Sequence, residues 1–190
     1  MHNVAIIINN NNFSNQANEL APTISILVND SETDVKITAL KSLNQILKKI
    51  TPDRILGSII PSIRNLGNET SKDVKANIGE CLGPIASKIG YNQFNTHLGA
   101  IMDTLMKDEN PEVRLGIAKS MLQIFESSEG NLLTSTNAFL GTMQKDTQYR
   151  VRESIYTTLA SLGANHGQEI YKSTIEPLFF NYVSDNVHSV

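Results

Sequence analysis

Histidine is the side chain best suited to metal binding and to acid-base chemistry near neutral pH. The sequence has four histidines, and they show no paired spacing with an acid or with another ligand. Metal centres and catalytic dyads depend on such spacing. We therefore expect exposed loop histidines, and no metal site, at His2, His97, His166 and His188.

Cys81 is the only cysteine, so neither a disulfide within the chain nor a multi-thiolate metal site can form. It stands beside Leu82 in an apolar helical pattern, which favours a buried, inert thiol over a nucleophile. Gly79 and Gly83 follow no predicted strand, so they form neither a phosphate-binding loop nor a dinucleotide fingerprint. Close helix packing explains both glycines. We expect no catalytic residue and no cofactor.

Charge and hydropathy exclude further classes of function. The net charge is -3, with 16 Lys and Arg against 19 Asp and Glu, which argues against a nucleic-acid partner. No segment reaches the length of a membrane span, and the apolar run Val4 to Ile8 is too short for a signal peptide. With no possible disulfide, a cytoplasmic or nuclear protein is the simplest account.

A short motif of an acid, Val and a base, with variants in the later copies, recurs five times. Its valines, at Val35, Val74, Val113, Val151 and Val187, lie 39, 39, 38 and 36 residues apart. Apolar residues return four, eight and eleven positions after each of the first four valines, as one face of a helix requires. A fixed period near 40 residues is the signature of HEAT and armadillo repeats.

The pattern predicts an all-α fold, an α-solenoid of about four and a half HEAT repeats, each an A helix followed by a B helix. Residues 1–18 are Asn-rich and predict a disordered leader. The repeats are expected at about 19–50, 51–90, 91–128 and 129–165, with an incomplete repeat at 166–190. Because the last helix stops after three residues, we expect a piece of a longer protein.

Two columns of charge flank each A-to-B turn. The acids are Asp30, Glu69, Asp108 and Asp146, and the bases are Lys36, Lys75, Arg114 and Arg152. We expect each acid to cap its B helix and to meet a base from a neighbouring turn, forming a structural ladder along one edge. The fourth turn differs, because Tyr149-Arg150 stands where the earlier copies have Thr33-Asp34, Lys72-Asp73 and Pro111-Glu112. An aromatic residue beside an arginine is typical of binding hot spots.

The strings Lys107 to Leu115, Tyr149 to Arg152 and Val183 to His188 follow one another as in a known family. Over about residues 19–190 the chain resembles the HEAT-repeat scaffold (A, or structural) subunits of type 2A protein phosphatases, as a central-to-late fragment. Tyr149-Arg150 matches a Trp-Arg of that family, and His188 matches a tyrosine, so both aromatic positions depart from the pattern.

The resemblance implies a non-catalytic scaffold whose turns bind regulatory subunits together with a Ser/Thr protein phosphatase catalytic subunit. On this hypothesis the partner-binding residues are Asn110, Glu112, Tyr149, Arg150 and His188. A different HEAT-repeat adaptor, such as a segment of a nuclear transport receptor, is the alternative. A HEAT-like lyase or nucleic-acid repair enzyme would need a catalytic carboxylate in a pocket or a basic concave face, and the sequence shows neither.

Overall fold

The computed structural model describes residues 14–128 and 140–165, and the single positions Lys172 and Glu176. Across these residues the fold is an all-α solenoid, as the repeat period predicts. The α-helices are α1 (Ser14–Val28), α2 (Thr33–Ile46), α3 (Pro52–Arg54), α4 (Ile60–Asn65), α5 (Lys72–Ile89), α6 (Tyr91–Met106), α7 (Pro111–Ala118), α8 (Met121–Glu126) and α9 (Tyr149–Asn165). Residues 140–143 are also helical. The expected leader at residues 1–13, residues 129–139 and nearly all of 166–190, including His188, lie outside the described residues.

The helices form two layers. Helices α1, α3 with α4, and α6 are the A helices of the first three repeats, and neighbouring A helices touch. The B helices are α2, α5, α7 with α8, and α9, and they pack on one another in chain order. Each repeat therefore contacts its sequence neighbours, which is the architecture of a solenoid.

The core is a continuous cluster of mainly aliphatic side chains between the layers. The apolar columns predicted from the repeat are confirmed, because every member is at most 2% exposed. These residues are Ala39, Ile78, Ile117 and Ile155; Leu43, Leu82, Met121 and Leu159; and Ile46, Ile85, Ile124 and Leu162. The 3.6-residue turn of a helix returns these positions to one face, so the same face is buried in every repeat.

Local sequence determines where two of the B helices begin and where one of them ends. Ser71 caps α5 by accepting a hydrogen bond from the N–H of Val74, and Asn110 caps α7 by accepting one from Glu112. Pro111 occupies the first turn of α7, where its missing N–H leaves no partner unsatisfied. Gly90 ends α5 with φ of 78°, a left-handed conformation that favours glycine.

The first helix begins earlier than the sequence predicts. Helix α1 starts at Ser14, so the last five residues assigned to the leader are helical. Two contacts explain this: Ala17 is fully buried, and Asn18 Oδ1 accepts a hydrogen bond from the N–H of Thr51, 2.9 Å away. The polar residues of this stretch therefore lie on a helix that buries one apolar side chain in the core and is hydrogen-bonded to the start of the second repeat.

Two helices of the predicted pairs are broken. In the second A helix, a π-helical turn at Ile55–Ile59 precedes Pro61, which cannot donate a backbone hydrogen bond. In the third B helix, residues 119 and 120 separate α7 from α8. There the hydroxyl of Ser120 donates to the backbone oxygen of Gly79 in α5, at 2.7 Å. No helix within the described residues has the length and hydropathy to cross a membrane.

Candidate functional site

The A-to-B turns form a row that we call the turn edge. It comprises residues 29–32, 66–71, 107–110 and 144–148 and the first turn of each following B helix. Because the B helices pack side by side, the turns that precede them are brought next to one another. Both charge columns lie on the turn edge.

Three ion pairs join successive turns. Lys36 Nζ lies 2.8 Å from Glu69 Oε2, and Lys75 Nζ lies 2.6 Å from Asp108 Oδ2. Arg114 binds Asp146 through two parallel bonds of 2.6 and 2.9 Å, the fork geometry that guanidinium and carboxylate groups favour. The base of each of the first three repeats therefore binds the acid of the next repeat. We call this series the ladder.

All four acids of the acidic column, Asp30 included, brace their turns, but not in the way that the sequence predicts. The carboxylate of each acid accepts a hydrogen bond from the N–H of the second residue after it, at 2.8 to 2.9 Å. These donor residues, each of which immediately precedes a B helix, are Glu32, Ser71, Asn110 and Gln148. The prediction that the acids cap the B helices is therefore wrong. The three aspartates reach the second following N–H as in an Asx-turn, and Glu69 makes the same bond with a side chain one carbon longer. Ser71 and Asn110 serve as caps instead.

The two arginines of the basic column also bind backbone carbonyls. Arg114 Nη1 donates to the oxygen of Asp108 at 2.7 Å, and Arg152 Nη1 donates to the oxygen of Asp146, also at 2.7 Å. The third turn is thus held by an arginine of the third repeat, and the fourth turn by an arginine of the fourth repeat. Asp146 additionally binds Arg114 from the preceding repeat, so its turn is fixed from both sides.

Electrostatics keep the ladder acids charged. The hydrogen bond from Lys36 and those from the backbone of residues 70 and 71 lower the pKa of Glu69. Burial raises the pKa of Asp108 and Asp146, but hydrogen bonds from Lys75 and Arg114 and from the backbone outweigh it, so both are lowered. The bond to Asp146 raises the pKa of Arg114 despite the opposing effect of its burial. The lowered pKa values keep all three carboxylates ionised at neutral pH.

A second set of charges on the turn edge is exposed. Arg150 Nη1 lies 2.9 Å from Glu112 Oε1, and both side chains are 52% exposed, whereas the ladder charges are 6 to 23% exposed. Tyr149 is 45% exposed, one of two large apolar side chains in the described residues with such exposure. Glu112, Tyr149 and Arg150 constitute what we call the exposed patch, which spans the third and fourth turns.

The remaining predicted partner-binding residues have different positions. The side-chain oxygen of Asn110 accepts a hydrogen bond from the N–H of Glu112 at 3.0 Å. Asn110 therefore helps to fix the backbone that carries Glu112 of the exposed patch. His188 lies outside the described residues. Glu112 and Arg150, both predicted to bind a partner, also bind each other across 38 positions, a contact that the sequence pattern does not predict.

The described residues contain no group of three or more His, Cys, Asp or Glu side chains that could hold a metal ion. Cys81 is fully buried, with Sγ 3.5 Å from the backbone oxygen of Leu40. Burial, and to a lesser extent the charge of Glu80, raises the pKa of the Cys81 thiol, so the nucleophilic thiolate is disfavoured. His97 is half-buried on α6 and does not lie in an exposed loop, so that expectation is wrong for this histidine.

Comparisons with known proteins agree with this architecture. No family model matches the chain. The chain is similar to the beta isoform of the human 65 kDa A-type regulatory subunit of serine/threonine-protein phosphatase 2A, with 27% identity over 108 residues. The match covers 55% of this chain but 18% of that protein, so the chain spans less than a fifth of the length of this relative.

Two solved structures share the fold. The designed armadillo repeat protein YIII(Dq)4CqI has a TM-score of 0.54 and 15% identity, covering 92% of this chain and 81% of its own. An engineered protein, Northeast Structural Genomics Consortium target OR329, has a TM-score of 0.55 and 13% identity. The match covers 94% of this chain and 92% of that protein. At these identities the likeness concerns the fold, and it shows an armadillo- or HEAT-like repeat solenoid.

Proposed function

We propose that this chain is a non-catalytic scaffold segment that binds a protein partner along the turn edge. The observation that carries the proposal is the contrast between the two sets of charges. The ladder charges bind each other and hold the turns in place, whereas the exposed patch presents an aromatic ring and an ion pair to solvent. A surface of this composition on a rigid support is suited to protein recognition.

The ion pair in the exposed patch does not oppose binding. A solvent-exposed pair contributes about 0–1 kcal/mol, so Arg150 and Glu112 can exchange each other for partner groups at low cost. Tyr149 adds apolar contact area and a hydroxyl group beside them. Ladder pairs with their additional backbone bonds are more strongly held, so the turns keep their positions when the partner binds.

The partner that the similarity favours is a Ser/Thr phosphatase catalytic subunit, with regulatory subunits binding to other turns of a longer scaffold. The human relative is by its name an A-type regulatory subunit of phosphatase 2A. Such a scaffold would act geometrically, by holding two partners near each other and raising their effective concentration. We place this role in the cytoplasm or nucleus, because the single buried cysteine has no need of an oxidising compartment.

A binding experiment with the purified catalytic subunit of human phosphatase 2A tests the proposal. We expect the full chain to bind it, and we expect Tyr149→Ala and Arg150→Ala each to weaken binding by at least about tenfold, as truncating a hot-spot residue does. The matched control is Glu80→Ala, which removes the acid of the exposed Lys119–Glu80 pair away from the turn edge. This control should leave the affinity unchanged.

Two results would count against the proposal. Equal capture of the native chain and of both patch variants would show that the exposed patch is not the binding surface. If the full chain at micromolar concentration fails to bind the catalytic subunit, this partner is rejected. Circular dichroism of each variant shows whether a variant that has lost affinity is still folded.

A further inference from the structure

One side of α1 carries two leucines that point away from the second repeat. The other side is bonded to that repeat: Asn18 accepts a hydrogen bond from its first residues, and the hydroxyl of Ser25 donates to one of its backbone oxygens. Leu20 and Leu27 each stand two positions after one of these residues. Positions two apart on an α-helix are separated by about 200°, so both leucines lie on the opposite side of α1. We call this side, defined by Leu20 and Leu27, the open flank.

The later repeats bury the same side of their A helices. Counting forward from Leu20 and Leu27 by one and by two repeats of 39 residues leads to four side chains that are at most 7% exposed, which are Ile59, Leu66, Leu98 and Leu105. Both leucines of α1 are only half-buried. A repeat precedes each of the later A helices, whereas none precedes α1 among the described residues. The open flank therefore lacks the covering layer that the other repeats have.

The uncovered apolar surface is narrow, because the neighbouring B helix is polar on this side. In the third B helix, Gly116 and Lys119 both contact the B helix before them. The corresponding residues of α2 are Thr38 and Lys41, so these two face the side on which no repeat is described, and both are exposed. Another pair of helices, or a second copy stacked on this end, would bury these polar groups together with the leucines. A single short apolar segment along α1 fits the flank better.

The chain itself contains a segment of this kind. Residues 4–8 are five consecutive apolar residues with the sequence Val-Ala-Ile-Ile-Ile, and residues 9–12 are four asparagines, which favour turns. The five residues between this segment and Ser14 span up to about 17 Å, whereas Leu20 lies about 9 Å along α1 from Ser14. In extended form the segment would span about 13 Å, enough for the roughly 10 Å that separate the two leucines along the helix.

We propose that residues 4–8 fold back along α1 and cover the open flank. The segment closes the apolar side of the first repeat, as the ends of solenoids require, because an uncovered apolar face associates with other chains. This inference goes beyond the proposed function, since the open flank belongs to the first repeat and the exposed patch to the third and fourth turns. The tests use no phosphatase subunit, so the two proposals fail independently.

Thiol labelling of the full chain tests the proposal. Leu27→Cys places a thiol on the open flank, and Ile26→Cys places one on the neighbouring residue, which is 74% exposed. We expect deletion of residues 1–9 to speed the labelling of Leu27→Cys by at least about tenfold and to leave Ile26→Cys unchanged. Native Cys81 is fully buried and adds no fast signal.

Point variants within the segment separate its apolar character from its mere presence. In the Leu27→Cys background, Ile7→Asp places a charge in the apolar segment, so we expect it to speed labelling as the deletion does. Asn11→Asp adds the same charge in the polar run and is the matched control. It should leave the labelling rate unchanged.

Fluorescence provides a second measurement, because the chain has no tryptophan of its own. Ile6→Trp should emit at a shorter wavelength than Asn10→Trp, since packing against the open flank removes water from the indole ring. Replacing both Leu20 and Leu27 with aspartate should move the emission of Ile6→Trp to that of Asn10→Trp. Circular dichroism shows whether each variant remains folded, and the labelling comparison decides the proposal even if the double aspartate variant unfolds.

Three results would overturn the proposal. The first is an equal labelling rate of Leu27→Cys with and without residues 1–9. The second is an emission of Ile6→Trp at the wavelength of Asn10→Trp. The third is a protection of Leu27→Cys that grows with protein concentration, because a second copy of the chain would then cover the open flank.

Discussion

Lys75 Nζ and Asp108 Oδ2 lie 2.6 Å apart, and the two residues are 33 positions apart in the chain. Lys36 and Glu69 show the same separation. Contacts between the B helices have longer separations, 39 for Lys119 with Glu80 and 41 for Ser120 with Gly79. The ladder pairs therefore span 32 or 33 positions, whereas the pairs that join the B helices themselves, including Arg150 with Glu112, span 38 to 41.

Acid should weaken the fold through the ladder. The folded-state pKa values of Glu69, Asp108 and Asp146 are lowered, so the stabilisation is complete above the unfolded values of about 4 and is lost as pH falls from there through the folded values. Asp108→Asn should cost most at pH about 7, and its cost should shrink below pH about 4. Urea denaturation at a series of pH values measures this.

The variant Lys75→Gln is the control for that pH dependence, since it removes the base that binds Asp108 and keeps the acid. It should reduce the difference in stability between neutral and acidic pH. A cost of Asp108→Asn that stays constant from neutral to strongly acidic pH would contradict the assignment.

The buried and exposed ion pairs should differ in coupling energy. A double-mutant cycle on Arg114 and Asp146 should give about 1.5–3 kcal/mol, because the bidentate charged bonds are largely shielded from water. The same cycle on Arg150 and Glu112 should give about 0–1 kcal/mol, because both groups are half exposed. Free energies of unfolding of the single and double alanine variants provide both values. Equal coupling energies would refute the distinction between ladder and patch.

Glycine at position 116 should be required for packing. Gly116→Ala places a methyl group against the backbone oxygen of Ala76, and backbone cannot move aside as a flexible side chain can. We expect a loss of about 1–3 kcal/mol in the free energy of unfolding. Gly57→Ala is the matched control, because no atom lies within 4 Å of the added carbon, and it should be neutral or stabilising by up to about 1 kcal/mol. Comparable losses in the two variants would disprove the close helix approach.

Cys81 should react with thiol reagents only when the chain unfolds. Its side chain is fully buried and its thiol is held in the neutral form by that burial. Labelling with an aromatic disulfide reagent should be slow in buffer and immediate in concentrated urea. Ser31→Cys adds a thiol on an exposed turn and should be labelled at once in both conditions. Rapid labelling of native Cys81 would show that the B-helix layer opens locally.

Much of this protein is determined by sequence alone, because a repeat of near-constant length presents the same helical face in every copy. The spacing of the valines predicts the pairs of helices, and the apolar columns predict the buried face of each B helix. Local chemistry, such as Asn110 before Pro111 and glycine at position 90, sets several helix ends. The succession of turns also indicates similarity to a phosphatase scaffold protein.

Only the tertiary structure decided which residues of different repeats meet. The sequence shows both charge columns, but the rise and twist between neighbouring repeats determine that Lys75 binds Asp108 and that Arg150 binds Glu112. The same packing decides that glycines bring α5 against α7. Such contacts depend on side-chain volumes on two helices at once, and no periodicity within one helix contains that information.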